Sequence, residues 1–141
     1  MIAQGQTTIF KQNLLSKLED FSATSIYVYK IALYDANANL DNSTLTYTTT
    51  NEITGTGYTA GGKTLTPIVP AYDLSNNTAY VSFNNVTWSP ASFTTSGALI
   101  YNSTTNAAVC VLNFGSTKTA TNTFTITFPA ATSTTAVIRI S

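Results

Sequence analysis

The sequence predicts an all-β domain: an antiparallel sandwich or jelly-roll-like fold of about seven or eight strands, with one amphipathic helix at the N-terminus. Two observations carry this prediction. From residue 25 onward, apolar residues recur with a period near two, and runs of Gly, Pro, Asn and Asp separate them. Threonine, a β-branched residue that favours strands, is frequent from one end to the other. We divide the chain into an N-terminal arm and helix (1–22) and a β-domain (23–141) that form one folding unit.

Residues 8–21 carry the only strong helical pattern. Their apolar side chains recur at helical spacing and form one stripe, whose members are Phe10, Leu14, Leu18 and Phe21. The charged residues Lys11, Lys17, Glu19 and Asp20 fall mostly outside this stripe. Thr7 or Thr8 suits the N-cap. Two interpretations stay open: a helix that lies on the β core of its own chain, which we favour, or an arm that packs on a neighbouring subunit.

Strand-like runs follow the helix in a regular series. They cover 25–34, 63–69, 79–83, 86–88, 98–101, 107–114, 123–129 and 136–140, with 44–48 either a short strand or an extended loop. The run 25–34 is apolar on both faces, which predicts a central strand. Segments 98–101 and 107–114 predict a hairpin that ends at Gly115. In 123–129, three apolar side chains are expected to point inward and three threonines outward.

Composition excludes several classes of function. The chain has 141 residues, of which 9% are charged, and its six acidic and six basic residues cancel. A nucleic-acid-binding protein needs clustered Lys and Arg, which this sequence lacks. No apolar run approaches the ~20 residues needed to cross a bilayer, and the N-terminus does not resemble a signal peptide. We therefore expect no nucleic acid or membrane partner, and folding in a cytoplasm.

The glycine-rich segment 51–65 contains a literal match to the phosphate-binding loop, from Gly57 to Gly62-Lys63-Thr64. Such a loop binds phosphate because a helix follows it and directs its first N–H groups at the ligand. Here Pro67 and Pro70 follow instead, and Pro70 would remove a hydrogen bond from a helix interior. The segment is therefore predicted to be a glycine turn, with the ring of Tyr58 on the sheet and its hydroxyl bonded to a partner.

No catalytic, cofactor or metal site is expected. The chain has no histidine, which excludes Ser/His/Asp catalysis and the usual zinc sites. The single Cys110 lies in an apolar run and is expected to be a buried small hydrophobe. The alternating residues of 35–41 loosely suggest a calcium loop, but a solvated Asn/Asp turn is favoured because the glycine and distal glutamate of an EF-hand are absent. Six tyrosines offer a further alternative, a sugar-binding surface: Tyr27, Tyr29, Tyr34, Tyr47, Tyr58 and Tyr72.

An ordered set of short motifs extends along nearly the whole chain, from about residue 9 to the end. These are KIALY (30–34), NEITGTGYTAGG (51–62), VTW (86–88), GALIYN (97–102), VLNFG (111–115), FTITFP (124–129) and IRI (138–140). In this order they resemble a group of small virion structural proteins of tailed bacteriophages. The resemblance implies a non-enzymatic coat component, assembled in the bacterial cytoplasm and located in the virion.

The small, neutral β-domain suits a capsid decoration (cement) protein that binds the major capsid protein and forms a homo-oligomer, with a trimer as one option. The residues expected at its interfaces are Phe10, Leu14, Leu18 and Tyr58. The alternative is a tail, neck or fibre-associated module that binds a host glycan through tyrosines. The first hypothesis predicts exposed apolar patches at the helix and at one end of the sandwich. The second predicts a cluster of exposed tyrosines in one groove.

Overall fold

A computed structural model describes residues 1–141 and contains one helix and ten strands. In chain order these are β1 (Gly5–Gln6), α1 (Thr8–Leu15), β2 (Tyr29–Tyr34), β3 (Lys63–Thr64), β4 (Ala71–Asp73), β5 (Thr78–Val81), β6 (Val86–Trp88), β7 (Phe93–Asn102), β8 (Ala107–Ala120), β9 (Phe124–Ile126) and β10 (Ile138–Ile140). The helix is neither long nor apolar enough to span a membrane.

The strands form three antiparallel sheets, which confirms the all-β class. One sheet has five strands in the order β1-β8-β7-β2-β3, one has three in the order β10-β5-β4, and one pairs β6 with β9. β2 lies between β7 and β3, as expected of a strand with two apolar faces. There are more strands than the predicted seven or eight because several pair over only two or three residues, too short to show a period in sequence.

Two apolar clusters cover the two faces of the five-stranded sheet. The larger has 21 buried residues and draws on the helix and all three sheets, through side chains such as Phe10, Ile31, Val81, Val86 and Ile126. The smaller has nine buried residues on the opposite face, beneath the N-terminus and the segment around Leu40. The larger cluster is thus shared by the helix and all three sheets.

The predicted helix 8–21 is wrong at its C-terminal end, because α1 stops at Leu15. Lys17 adopts a left-handed conformation with φ 60°. The Lys17 N–H then donates to Leu14 O at 3.4 Å, and the Leu18 N–H donates to Asn13 O at 2.9 Å. This pair of bonds is the Schellman motif that ends helices, usually with glycine where Lys17 stands. The N-terminal end agrees with prediction, since the Thr7 hydroxyl accepts the Phe10 N–H.

The predicted end of the hairpin at Gly115 is also wrong. β8 continues to Ala120 and pairs with β7 as far as Phe93. Between Asn113 and Lys118 the register shifts in a bulge, where Gly115 has φ +76°. Glycine here lets the strand bend instead of stopping it. In 123–129 the predicted orientation is confirmed: the threonines are exposed, and Ile126 and Phe128 are buried.

Candidate functional site

The glycine-rich segment lacks the loop-to-helix geometry of a phosphate-binding loop. Immediately after Gly62, Lys63 and Thr64 form β3 and pair antiparallel with β2, so no helix N-terminus follows the loop. The Lys63 ammonium donates to the Thr87 carbonyl and lies 5.7 Å from the centre of the Trp88 ring. The predicted glycine turn is confirmed, and Lys63 serves as a link to β6.

The carboxylate of Glu52 organises this turn. Its Oε1 accepts the Tyr58 hydroxyl at 2.6 Å and the Gly61 N–H at 2.7 Å, and its Oε2 accepts the Tyr47 hydroxyl at 2.6 Å. The Tyr58 hydroxyl in turn accepts the Leu33 N–H of β2 at 2.9 Å. Burial, and then the Glu52 carboxylate, raise the pKa of Tyr58 well above its usual value. The Glu52 carboxylate thus accepts hydrogen bonds from three neutral donors, and Tyr58 connects the turn to the central strand.

Most of the tyrosines pack within the chain and are not exposed on its surface. Tyr101 donates to Gly61 O at 2.7 Å, and its ring stacks on Tyr47 with centroids 4.6 Å apart. Burial, and then Glu52, raise the pKa of Tyr101 to about 12. Of the six tyrosines considered for a sugar-binding surface, two are buried, three are half-buried and only Tyr72 is mostly exposed. The structure therefore does not bring them together in one exposed groove.

The segment 35–41 forms local turns. Asp35 Oδ1 accepts the Asn37 N–H at 2.7 Å, and Asp41 Oδ1 accepts the Ser43 N–H at 2.8 Å. No group of three or more His, Cys, Asp or Glu side chains could hold a metal ion. The predicted Asn/Asp turn is what the structure shows. Cys110 is 3% exposed, which confirms its prediction as a buried hydrophobe.

An apolar cleft lies between α1, the segment that follows it and the three-stranded sheet. Its volume is about 230 Å³, and eight of its eleven lining residues are hydrophobic. The N-terminal segment and the two facing strands supply its main walls, formed by Phe10, Leu14, Phe21, Val81, Ile138 and Ile140. Two of the residues expected at an interface, Phe10 and Leu14, thus meet here.

One face of the three-stranded sheet lines the cleft and is only partly buried. β10 pairs with β5 in a register that sets Ile138 opposite Val81 and Ile140 opposite Ala79. Because strand side chains alternate between faces, Ile138 and Ile140 point to the same side. Ile138 is 2% exposed and Ile140 is 50% exposed. The inner end of this face is therefore core, and the outer end is open.

The predicted interface residues differ in their exposure. Phe10 is completely buried in the larger core cluster, and Leu14 packs against that cluster while half-exposed. Phe10 therefore stabilises the fold of its own chain. Leu18 is 45% exposed beyond the end of the helix. Tyr58 belongs to the Glu52 network instead, so the four residues do not form one surface.

Glu19 lines the same cleft and was not recognised from sequence as a residue of interest. The pattern placed it on the solvated side of a longer helix, yet it is only 7% exposed. Its Oε2 accepts hydrogen bonds from the Tyr29 hydroxyl at 2.7 Å and from the Asn102 side-chain amide at 3.2 Å. Its Oε1 accepts from the Asn13 side-chain amide at 3.5 Å. All three partners are neutral, and burial raises the pKa of Glu19.

Comparison of the chain with protein-family models, curated proteins and solved structures found no match.

Proposed function

We propose that this chain is a non-enzymatic structural protein of a tailed-bacteriophage virion, a capsid decoration (cement) protein that binds and stabilises the shell of major capsid protein. The observation that carries the proposal is the half-covered apolar face beside α1, together with the motif resemblance along the chain. We propose further that the three sheets form a β-sandwich. Its support is the shared core, to which all three sheets contribute side chains.

An exposed apolar surface on a small domain is most often an interaction surface. Around the cleft, Ile140 is half-exposed, and Leu15 on the adjoining helix is 89% exposed. Tyr72 and Leu74, in and just after β4 of the same sheet, are also largely exposed. Contact with a neighbouring subunit would remove this surface from water, at roughly 25 cal/mol per Å² of apolar area buried.

The edges of the three-stranded sheet offer a second mode of assembly. β10 and β4 are its outer strands, and each has β5 as its strand partner; the Arg139 carbonyl of β10 also accepts a hydrogen bond from the Gln6 side chain. An open edge presents backbone N–H and C=O groups that pair readily with a strand of another chain. Such contacts suit binding to the shell and the formation of a homo-oligomer such as a trimer.

The glycan-binding alternative has no observation in its favour. It needs several exposed tyrosines in one groove, but five of the six are engaged in internal stacking or hydrogen bonds, and only Tyr72 is mostly exposed. The polar cluster around Glu52 is likewise engaged within the chain. These features support an assembly role over a glycan-binding role.

Two measurements test the proposal. Gel densitometry of purified virions should give a copy number close to that of the major capsid protein, whereas a tail or neck component would be present in few copies. In a shell-binding assay, Ile140→Asp should weaken binding, because it places a charge on the open apolar face. Ile26→Asp is the matched control, since Ile26 is 81% exposed and lies outside the cleft. Low copy number, or equal binding by both variants, would contradict the proposal.

A further inference from the structure

We infer that the cleft beside α1 receives one basic side chain, Lys or Arg, from a partner polypeptide, with the cation at Glu19 and the alkyl stem along the apolar walls. The inference rests on the proposed function only in taking the partner to be a protein of the particle. The pocket itself is defined by residues of this chain.

The size of the cleft indicates what enters it. Pockets for drug-sized ligands measure about 300 to 1,000 Å³, and this cleft holds about 230 Å³. A single side chain is a better fit than a free ligand of ordinary size. The walls are apolar over most of their area, so the occupant must present a hydrocarbon stem to Leu14, Ile138 and Ile140.

Glu19 determines the charge of that occupant. Buried carboxylates are normally paired with a cation, because removal from water is costly for an unpaired charge. Here all three hydrogen-bond partners are neutral, and none of the eleven residues that line the cleft is basic. The Oε1 atom has only the long 3.5 Å contact with Asn13, so it has capacity for a charge-assisted hydrogen bond.

Lysine and arginine combine the two required features. Each carries a flexible alkyl stem that packs on apolar surface and a cation at its tip. Asp20, which also lines the cleft, adds a second negative charge. Beyond Leu14 and Ile140, the neighbouring depression is lined by Lys11 and Arg139. These two cations disfavour a polybasic segment, so the partner segment should carry one basic residue among neutral or apolar ones.

Two small probes of equal length test the pocket directly. NMR titration of the full chain at pH 7 with n-hexylammonium and with 1-hexanol should give saturable shifts at Phe10, Leu14 and Ile138. We expect the ammonium to bind at least about tenfold more tightly, equivalent to ~1.4 kcal/mol. Glu19→Gln should abolish this preference, and Asp20→Asn should retain most of it. Equal affinity of the two probes for the wild-type chain, no saturable binding of either, or an unchanged preference in Glu19→Gln would overturn the inference.

The same variant separates this inference from the proposed function. If the wild-type chain binds capsid shells and Glu19→Gln binds them at least about tenfold more weakly, the basic anchor is supported. If both bind shells equally, the anchor is wrong and the decoration role stands. If the chain prefers hexylammonium through Glu19 but does not bind shells, the pocket stands and the proposed function fails.

Discussion

Tyr58 donates its hydroxyl hydrogen to Glu52 Oε1 at 2.6 Å, and the same hydroxyl accepts the Leu33 N–H of the central strand at 2.9 Å. One phenol group thus joins the carboxylate that organises the glycine turn to the backbone of β2. The ring also packs near Trp88 and Phe93, with centroids 6.3 and 6.0 Å away. Tyr58 therefore acts as an internal connector between the turn, the central strand and the aromatic core.

Tyr58→Phe should destabilise the chain more than Tyr47→Phe. Both substitutions remove a hydrogen bond to Glu52, and a bond to a charged group contributes about 1.5–3 kcal/mol. Tyr58→Phe also leaves the Leu33 N–H without its acceptor, at a further cost of about 1–3 kcal/mol. Urea unfolding of the two variants measures the difference. Equal losses would show that the Leu33 bond contributes nothing to stability.

Gly62→Ala should be among the most damaging substitutions in the glycine turn. Gly62 has φ +74°, and a Cβ would lie 1.7 Å from the Ile31 carbonyl oxygen of β2. Gly115→Ala is the matched control, since its φ is +76° but its Cβ would meet nothing within 4 Å. The free energy of unfolding should fall by about 1–2 kcal/mol in the control, because alanine is strained in the left-handed conformation. It should fall clearly further in Gly62→Ala. Similar unfolding midpoints for the two variants would refute the close approach of turn and strand.

Glu19→Gln should stabilise the chain at neutral pH. Burial raises the pKa of Glu19 above its ordinary value of 4.5, so the folded state binds this proton more tightly than the unfolded state. Stability then falls as pH rises from the unfolded pKa through the folded pKa, and the loss persists at pH 7. Thermal unfolding should give the variant a higher Tm at pH 7, with a difference that shrinks as the pH falls toward 4.

In the same thermal-unfolding experiment, Asp20→Asn should change the Tm at pH 7 in the opposite direction. Hydrogen bonds from Ser22 lower the pKa of Asp20, so its ionised form favours the folded state above the unfolded pKa. This variant should therefore be slightly less stable than wild type at pH 7. A lower Tm for Glu19→Gln at pH 7 would show that the three hydrogen bonds outweigh the desolvation of the carboxylate. If Glu19 is kept for binding a partner and not for stability, its replacement is also expected to stabilise the chain.

Cys110 should not react with thiol reagents in the folded chain. It is 3% exposed, and burial raises the pKa of its thiol to about 12. Because the thiolate is the reactive form, both access and ionisation oppose alkylation at pH 8. Mass spectrometry should show slow modification by iodoacetamide in buffer and rapid modification in concentrated urea. Rapid labelling under native conditions would place Cys110 at an opening of the sheet.

Features that depend on neighbouring residues were predictable from the sequence. Strict alternation in 123–129 predicted which side chains face the core, because successive strand residues point to opposite sides. Pro67 and Pro70 excluded a helix after the glycine turn, because proline prevents helical hydrogen bonding. Phe10 and Leu14 could be named as packing residues from helical spacing alone, and both contact the core.

The end of the helix and the burial of Glu19 were decided only in three dimensions. A lysine at the left-handed position is not a recognisable stop signal, so the periodic pattern appeared to continue to Phe21. Once α1 ends at Leu15, the chain turns and carries Glu19 onto Tyr29 and Asn102. Asn102 is 83 residues away in sequence, and no local pattern encodes such a pairing.

By itself the sequence determined the all-β class, the glycine turn and the central position of the strand predicted at 25–34, which the structure shows over 29–34. Each of these follows from local periodicity or from backbone chemistry. The tertiary structure decided sheet order, the partners of Glu52 and the cleft. The open half of that cleft depends on the register that sets Ile138 opposite Val81 and Ile140 opposite Ala79. Such register results from the simultaneous packing of distant strands on one core, and it is therefore invisible in any single segment.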